Sequence, residues 1–270
     1  MGADTKKLRS RIKSVDSTLH LTTAMGLVAS SKIRRATEAM NKGKEYAKAL
    51  ADVMNMLTAS EECAKSPYMQ KRDGNRLCLI VIAGDRGLAG GYNANVFRTS
   101  KEYEPSKVFA IGKRACDKYS KPIALAEDFS YGDAIEIAKE LCDGFSAGEF
   151  DEVSVICTKY VSIMSQEAQI KKILPLEKNQ EKSNSTILFE PDEGTILDSV
   201  IYEYVAAVLL AAVRESFASE VAARRVAMDS AGKNAQEMMD NLQLEYNRAR
   251  QSAITQEITE IVAGSDGQEV

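Results

Sequence analysis

The residues with the clearest chemical potential form a glycine-rich loop, Gly84-Asp85-Arg86-Gly87-Leu88-Ala89-Gly90-Gly91-Tyr92-Asn93. The loop follows the apolar run 77–83, which suits a buried strand, and in a doubly wound domain such a loop can hold a phosphate. Its spacing is neither G-x-G-x-x-G nor a P-loop ending in G-K-[ST]. We therefore favour a tight turn that lets the sheet meet long helices, with nucleotide binding as the rival hypothesis.

Other residue types that do chemistry are sparse. His20 is the only histidine, and no suitably placed nucleophile accompanies it. The five cysteines are widely spaced without a C-x-x-C pair, which favours small buried hydrophobes in a reducing cytoplasm. We predict no catalytic residue, no metal site and no cofactor.

Charge and hydropathy restrict the partners. The chain carries a net charge of −4, and its basic runs lack interleaved aromatic residues, which argues against nucleic acid. No uninterrupted run of about 18 apolar residues occurs, so the sequence predicts peripheral membrane association at most.

Proline and charge divide the chain into three predicted parts: 1–60, 61–191 and 192–270. All five prolines lie between Pro67 and Pro191, so both ends can form long helices. Residues 1–60 carry 11 Lys and Arg against 5 Asp and Glu, whereas residues 192–270 carry 6 against 14. Opposite charge favours pairing of the two terminal helices, although solvated charges contribute modestly.

Apolar periodicity predicts how these helices pair. A helix from about residue 4 to 58 has an unbroken heptad seam: Leu8, Ile12, Val15, Leu19, Thr22, Gly26, Ala29, Ile33, Ala36, Met40, Gly43, Ala47, Leu50, Met54 and Leu57. Residues 198–262 are predicted to form one very long helix or two helices end to end. Gly232 is the residue at which the helix is expected to be weakest, because glycine is unfavourable inside a helix. Its predicted stripe shifts phase at Tyr246: Met228, Ala231, Ala235, Met238, Leu242, Tyr246, Ala249 and Ala253, continued by Ile254, Ile258 and Ile261.

The middle part changes to strand-like periodicity. Residues 77–83, 107–111 and 152–158 are predicted strands, and residues 133–145 an amphipathic helix. A polar loop at 176–185 precedes a predicted short strand at 186–190. Alternating strands and helices predict a small, mostly parallel sheet.

Three segments together resemble the gamma subunit family of bacterial F-type ATP synthases. They are residues 12–32 of the first helix, the loop Asp85-Arg86-Gly87-Leu88-Ala89-Gly90-Gly91-Tyr92-Asn93, and residues 215–262, which include Asn247-Arg248-Ala249-Arg250-Gln251-Ser252-Ala253-Ile254-Thr255-Gln256-Glu257. Ala89 replaces a cysteine that is common in the family loop, which suggests that a small residue suffices there.

The resemblance implies a long antiparallel coiled coil of the N- and C-terminal helices plus a central Rossmann-like α/β domain. In this family the coiled coil is a noncatalytic rotor inside a ring of alpha and beta subunits, and the α/β domain contacts the epsilon subunit and the membrane c-ring. The family pattern begins near residue 6, which leaves no room for a transit peptide and implies a peripheral protein on the cytoplasmic side of a bacterial cell membrane.

By the same resemblance, five residues are expected to contact beta subunits. Met25 lies where the rotor passes the moving lobes of those subunits. Arg224, Gln251 and Thr255 match positions that hydrogen-bond to beta-subunit loops, and Glu257 belongs to the same polar patch.

Two other classes of function stay open on the residues alone. An enzyme with helical arms would bind a nucleotide at residues 84–91. A self-associating scaffold would form a stable homo-oligomer through its arms, whereas a rotor subunit would depend on partners to cover its exposed apolar stripe.

Overall fold

The computed structural model describes residues 3–119, 122–178 and 189–266. The elements in chain order are α1 (Ala3–Thr58), β1 (Leu77–Ile82), α2 (Tyr92–Ser100), β2 (Lys107–Ile111), α3 (Lys113–Tyr119), β3 (Pro122–Ala124), α4 (Tyr131–Ser146), β4 (Glu152–Tyr160), β5 (Gln166–Leu174) and α5 (Glu193–Asp266). They fall into two compact units: residues 1–28 with 225–270, and residues 29–224. The three parts predicted from the sequence, with boundaries at residues 60 and 191, stay a prediction about how function is divided along the chain.

The second unit contains a five-stranded sheet in the order β3-β2-β1-β4-β5. The first four strands in this order are parallel, and β5 pairs antiparallel with β4. The predicted strands at 77–83, 107–111 and 152–158 and the predicted helix at 133–145 correspond to β1, β2, β4 and α4. The sheet is therefore mostly parallel, as expected.

Both faces of this sheet are covered, which explains the continuous apolar runs in its central strands. On one face, Ile80 and Val155 pack in a cluster with Leu141 of α4 and Leu209 of α5. On the other face, Leu79 belongs to a cluster with residues of α2 and α3. This layering of helix, sheet and helix is Rossmann-like.

The sequence did not predict β5. Its residues, QEAQIKKIL, are largely polar, and only its last two are buried. Charged side chains, lysine above all, are common on edge strands because they discourage pairing with another chain. Most of the strand predicted at 186–190 lies outside the described residues, and Phe189 and Glu190 are not in a strand.

The predicted heptad seam of α1 is confirmed. All fifteen of its residues are buried or half-buried in the chain. α5 is one continuous helix of 74 residues, so Gly232 does not divide it.

The two helices run antiparallel within each unit. In the second unit, Lys44 Nζ lies 2.7 Å from Glu215 Oε1, and Met40 shares a cluster with Ala218. In the first unit, a Cβ built on Gly26 would lie 3.6 Å from Met228 Cβ. Small residues at the seam allow this close approach of the two backbones.

The predicted phase shift in α5 is wrong. Met238 is 46% exposed, whereas Met239 is half-buried. The seam instead runs through Met228, Gly232, Ala235, Met239, Leu242, Tyr246, Ala249 and Ala253, in regular steps of four and three. A Cβ on Gly232 would lie 3.7 Å from Thr22 Oγ1, so this glycine is a contact position that a search for apolar side chains overlooks.

The last turns of α5 differ from the rest of the seam. Ile254, Ile258 and Ile261 were predicted to continue the stripe, but they are 47%, 56% and 71% exposed. Val262 is also exposed, at 53%. This end of α5 thus presents an apolar face that the described residues leave largely exposed.

α5 is the one helix among the described residues that could cross a membrane by length and composition. Of its most apolar window, 56% is buried inside the protein, as in an ordinary core helix. This property is therefore weak evidence for a membrane span.

Candidate functional site

The glycine loop, residues 84–91, joins β1 to α2 at the carboxyl edge of the sheet. Gly90 has a φ of 57°, which a glycine adopts easily. Leu88 has a φ of 61°, which is unusual for a bulky side chain, and it is 63% exposed. The next residue, Ala89, is 2% exposed, which agrees with the expectation that a small residue suffices there. The loop therefore turns one large apolar side chain outwards in a backbone conformation that must be held by its surroundings.

Two side chains at the ends of the loop fix its base. Asp85 Oδ1 accepts hydrogen bonds from the backbone N–H groups of Lys113 and Ala126, each at 3.0 Å, and Oδ2 accepts one from Glu127 at 2.8 Å. Asn93 Oδ1 accepts a hydrogen bond from the N–H of Gly84 at 2.9 Å. Asp85 thus ties the loop to two other segments of the domain.

The middle of the loop is held by α5. Arg224 donates from Nη2 to the carbonyl oxygens of Arg86 and Gly87, both at 3.3 Å, and from Nε to that of Gly87 at 3.4 Å. Its side chain is only 12% exposed and forms an ion pair with Glu220, one turn earlier on α5. A glutamate four residues before an arginine is the favourable orientation of such a pair.

Glu220 also restricts the start of the loop. Its carboxylate is 2% exposed, and a Cβ built on Gly84 would lie 2.7 Å from its Cδ atom. A side chain at this position would therefore force the carboxylate of Glu220 to shift. Glu220 Oε2 and Thr158 Oγ1 are buried and have no hydrogen-bond partner in the described part of the chain.

Further polar contacts connect α5 to the same edge of the sheet. Tyr92 donates to the backbone oxygen of Ser216 at 2.9 Å, and burial raises the pKa of this tyrosine. Ser216 Oγ accepts from the N–H of Thr158 at 3.0 Å, and Glu215 Oε1 accepts from that of Tyr160 at 3.1 Å. No local pattern in the sequence indicates these contacts, because they join residues at least 55 positions apart.

This arrangement disfavours the nucleotide-binding hypothesis. A phosphate at a glycine loop is held by free backbone N–H groups and by positive charge. Here the buried carboxylate of Glu220 lies against Gly84, and the guanidinium of Arg224 is already engaged. The loop meets a long helix, as the favoured interpretation of the sequence predicts.

The described residues offer no other obvious reactive centre. They contain no group of three or more His, Cys, Asp or Glu side chains that could hold a metal ion. The side chain of His20 is 80% exposed and lies 3.6 Å from Asp16, one turn away. Burial raises the pKa of Cys78 and of Cys142 to about 12, so these thiols stay protonated and unreactive.

The five residues expected to contact beta subunits occupy different surroundings. Met25 is half-buried on α1, Gln251, Thr255 and Glu257 are exposed on α5, and Arg224 is held by the glycine loop. Thr255 Oγ1 donates to the backbone oxygen of Gln251 at 3.0 Å. A helix turns by about 100° per residue, so Gln251 and Thr255 lie about 40° apart, whereas Glu257 lies about 160° from Thr255. The three residues therefore do not form one patch.

Comparison with known proteins identifies the class first. A family model described as ATP synthase matches residues 4–267, which is nearly the whole chain. The ATP synthase gamma chain of Ruminococcus albus is 42% identical, over 97% of this chain and 98% of the relative. A relative from Acetobacterium woodii, named ATP synthase gamma chain, sodium ion specific, is 36% identical over 98% and 99% of the two chains. The chain belongs to the ATP synthase gamma chain family.

Solved structures agree on the fold. A chain in the Euglena gracilis mitochondrial ATP synthase structure that comprises OSCP, F1 and the c-ring aligns with a TM-score of 0.68 at 19% identity, over 100% of this chain and 97% of that one. A chain of the Tetrahymena thermophila central stalk and c-ring aligns with a TM-score of 0.63 at 22% identity, over 78% and 99%. At these identities the likeness concerns the fold alone.

Proposed function

We propose that this chain is the central-stalk rotor subunit of a bacterial F-type ATP synthase. It couples ion-driven rotation of the c-ring to ATP synthesis or hydrolysis at the beta subunits. The observation that carries the proposal is the full-length match to bacterial gamma chains, at 42% identity over 97% of this chain. The partners are the alpha and beta subunits, the epsilon subunit and the c-ring.

The subunit itself is noncatalytic in this proposal. Support comes from the glycine loop, where the buried carboxylate of Glu220 lies against Gly84 and Arg224 binds a loop carbonyl, an arrangement that disfavours a bound phosphate. Nucleotide chemistry then belongs to the beta subunits, and this chain transmits force. Its association with the membrane is peripheral and on the cytoplasmic side.

The three parts expected from the sequence divide this work. Residues 1–60 and 192–270 form the rotating helical pair, and residues 61–191 contact the epsilon subunit and the c-ring. A long seam of small and apolar residues supports the mechanical role, because close packing along many turns resists separation of the helices under torque.

In this proposal Met25, Gln251, Thr255 and Glu257 contact beta subunits directly, and Arg224 acts at the same interface. The separation of Glu257 from Thr255 around α5 fits a helix that is encircled by partners, since one partner on one side could not reach both residues. The exposed apolar end of α5 is covered by the same ring. Polar contacts contribute about 0.5–1.5 kcal/mol each, which is weak enough to be released during rotation.

A pull-down tests the proposed function. The tagged chain is recovered from its own cells, its partners are identified by mass spectrometry, and ATPase activity is assayed in the eluate. We expect alpha, beta and epsilon subunits, together with ATPase activity that the isolated chain lacks. Recovery of the chain alone, with nucleotide binding of its own, would favour the enzyme hypothesis instead.

A second experiment tests the contact residues. We expect the double substitution Gln251→Ala with Thr255→Ala to lower ATP synthesis by membranes, because it removes two polar contacts from one side of α5. Gln236→Ala, at an exposed polar position on the same helix, is the matched control and should have no effect. Equal activity of the two variants would remove Gln251 and Thr255 from the contact set.

A further inference from the structure

The contacts of Arg224 lie within the chain, although the resemblance assigns this residue to a partner. Its guanidinium is bonded to two loop carbonyls and to Glu220, and its side chain is 12% exposed. An arginine in this state has few donors left and little surface with which to meet another subunit. Its influence on a partner must then act through what it holds.

What Arg224 holds is the backbone on the N-terminal side of Leu88. The clamped carbonyls belong to Arg86 and Gly87, and the residue after Leu88, Ala89, is buried. Leu88 is therefore fixed on both sides, in a left-handed conformation, with its side chain turned outwards. A strained backbone that displays an exposed apolar side chain is typical of a functional contact.

We propose that Arg224, itself oriented by Glu220, is a positioning residue that holds the glycine loop so that Leu88 meets a beta subunit. The inference rests on the proposed function for the identity of the partner. The clamp itself belongs to this chain and can be measured without any partner. Arg224 then contributes to coupling through the loop and not by bonding directly to the beta subunit.

The chemistry of the clamp explains why an arginine is used. A guanidinium presents a planar fork of donors that can reach two successive carbonyls and a carboxylate together, whereas a lysine ammonium is a compact point charge. Arg224→Lys should therefore keep the ion pair with Glu220 and lose part of the grip on the loop. This substitution also avoids leaving the buried Glu220 without a cation, which Arg224→Ala would do.

Limited digestion with trypsin measures the clamp in the full-length chain. The bond after Arg86 is a trypsin site whose carbonyl oxygen is held by Arg224. Losing a hydrogen bond from a charged donor should increase the open population, and hence the rate of cleavage at this bond, about tenfold in Arg224→Lys. Lys233→Arg is the matched control, because Lys233 pairs with Asp229 one turn away on the same helix at an exposed site. Cleavage at the wild-type rate in Arg224→Lys would overturn the proposal.

A double-mutant cycle in the assembled complex tests the route to the partner. The measured quantity is ion pumping per ATP hydrolysed, in Leu88→Ala, in Arg224→Lys and in the two combined. We expect each single substitution to lower this ratio and the double variant to match Leu88→Ala, because the clamp matters only through the leucine. Leu125→Ala, a second exposed loop leucine, is the control and should leave the ratio unchanged.

Results that contradict the positioning role of Arg224 differ from results that contradict the proposed function. Multiplicative effects of the two substitutions would mean that Arg224 contacts the partner independently, and would overturn the proposal. An unchanged ratio in either single variant would overturn it as well. Failure of the wild-type chain to recover alpha and beta subunits would instead count against the proposed function. The trypsin result would still measure the contact between Arg224 and the glycine loop, because that experiment needs no partner.

Discussion

Replacing Gly84 with alanine tests whether the carboxylate of Glu220 closes the start of the glycine loop. The new Cβ would lie 2.7 Å from Glu220 Cδ and 2.9 Å and 3.0 Å from its two oxygens. Carbon atoms in contact are separated by about 3.5–4.0 Å, so the carboxyl group would have to move by about 0.8 Å or more. Glu220 is 2% exposed and tied to Arg224, which leaves it little room.

The expected loss of stability follows from two opposing effects. Overpacking a closely packed site costs about 1–3 kcal/mol. Replacing a glycine reduces the entropy of the unfolded chain, which stabilises the protein by about 0.4–1 kcal/mol. We therefore expect Gly84→Ala to lower the free energy of unfolding by about 1–2 kcal/mol.

Urea unfolding of the full-length chain, followed by far-UV circular dichroism, measures this change. Gly132→Ala is the matched control, since Gly132 lies in the first turn of α4 with its nearest neighbour, Ser130 Oγ, 3.5 Å from the new Cβ. That control should gain about 0.5–1 kcal/mol, because alanine is the better helix former.

A second substitution locates the clash. In a chain that also carries Glu220→Ala, the shortened side chain should remove most of the cost of Gly84→Ala. A Gly84→Ala variant as stable as the wild type would refute the reasoning, since it would show that Glu220 yields freely. A full cost in the Glu220→Ala background would place the clash elsewhere.

Three further predictions concern the helices and the domain. Met239→Asp should lower the thermal midpoint of the helical signal, because Met239 lies in the seam, whereas Met238→Asp should change stability by less than about 0.5 kcal/mol; the reverse order would restore the shifted stripe. Hydrogen bonds from Arg76 hold the pKa of Asp151 below its ordinary value of 3.8, so the stabilisation by this carboxylate is present above that pH and lost below it. Thermal midpoints measured from pH 7 down to about 2 should therefore fall less steeply in Asp151→Asn than in the wild type, and an equal slope would exclude this pair as a cause of acid sensitivity. Met25→Lys should impair ATP-driven pumping more than assembly, because the proposed function places Met25 against beta subunits, where a long cation would disturb the contact; unchanged pumping would refute this idea.

The local periodicity of the sequence was sufficient to predict the main elements. The seam of α1 was predicted residue by residue, because a heptad pattern requires only that each helical turn bury one or two side chains. The strands β1, β2 and β4 were predicted because strands covered on both faces are continuously apolar. The sequence also showed the resemblance to the gamma subunit family. The three matching segments lie in α1, in the glycine loop and in α5.

The predictions failed where the polarity of a residue does not indicate whether it is buried. The edge strand β5 is polar because one of its sides needs no partner, and its alternation is too weak to recognise. Gly232 has no side chain to count as apolar, yet it lies at the seam, where a Cβ would contact Thr22 and Leu19.

The sequence by itself determined that the chain has two long terminal helices, a strand-rich middle and a glycine loop of the gamma chain family. Only the tertiary structure decided what holds that loop. Arg224 and Gly87 are separated by 137 positions, and no local pattern shows that one donates hydrogen bonds to the carbonyl oxygen of the other. Such contacts depend on how α5 packs beside the sheet, where the burial of many apolar side chains fixes the position of a few polar ones.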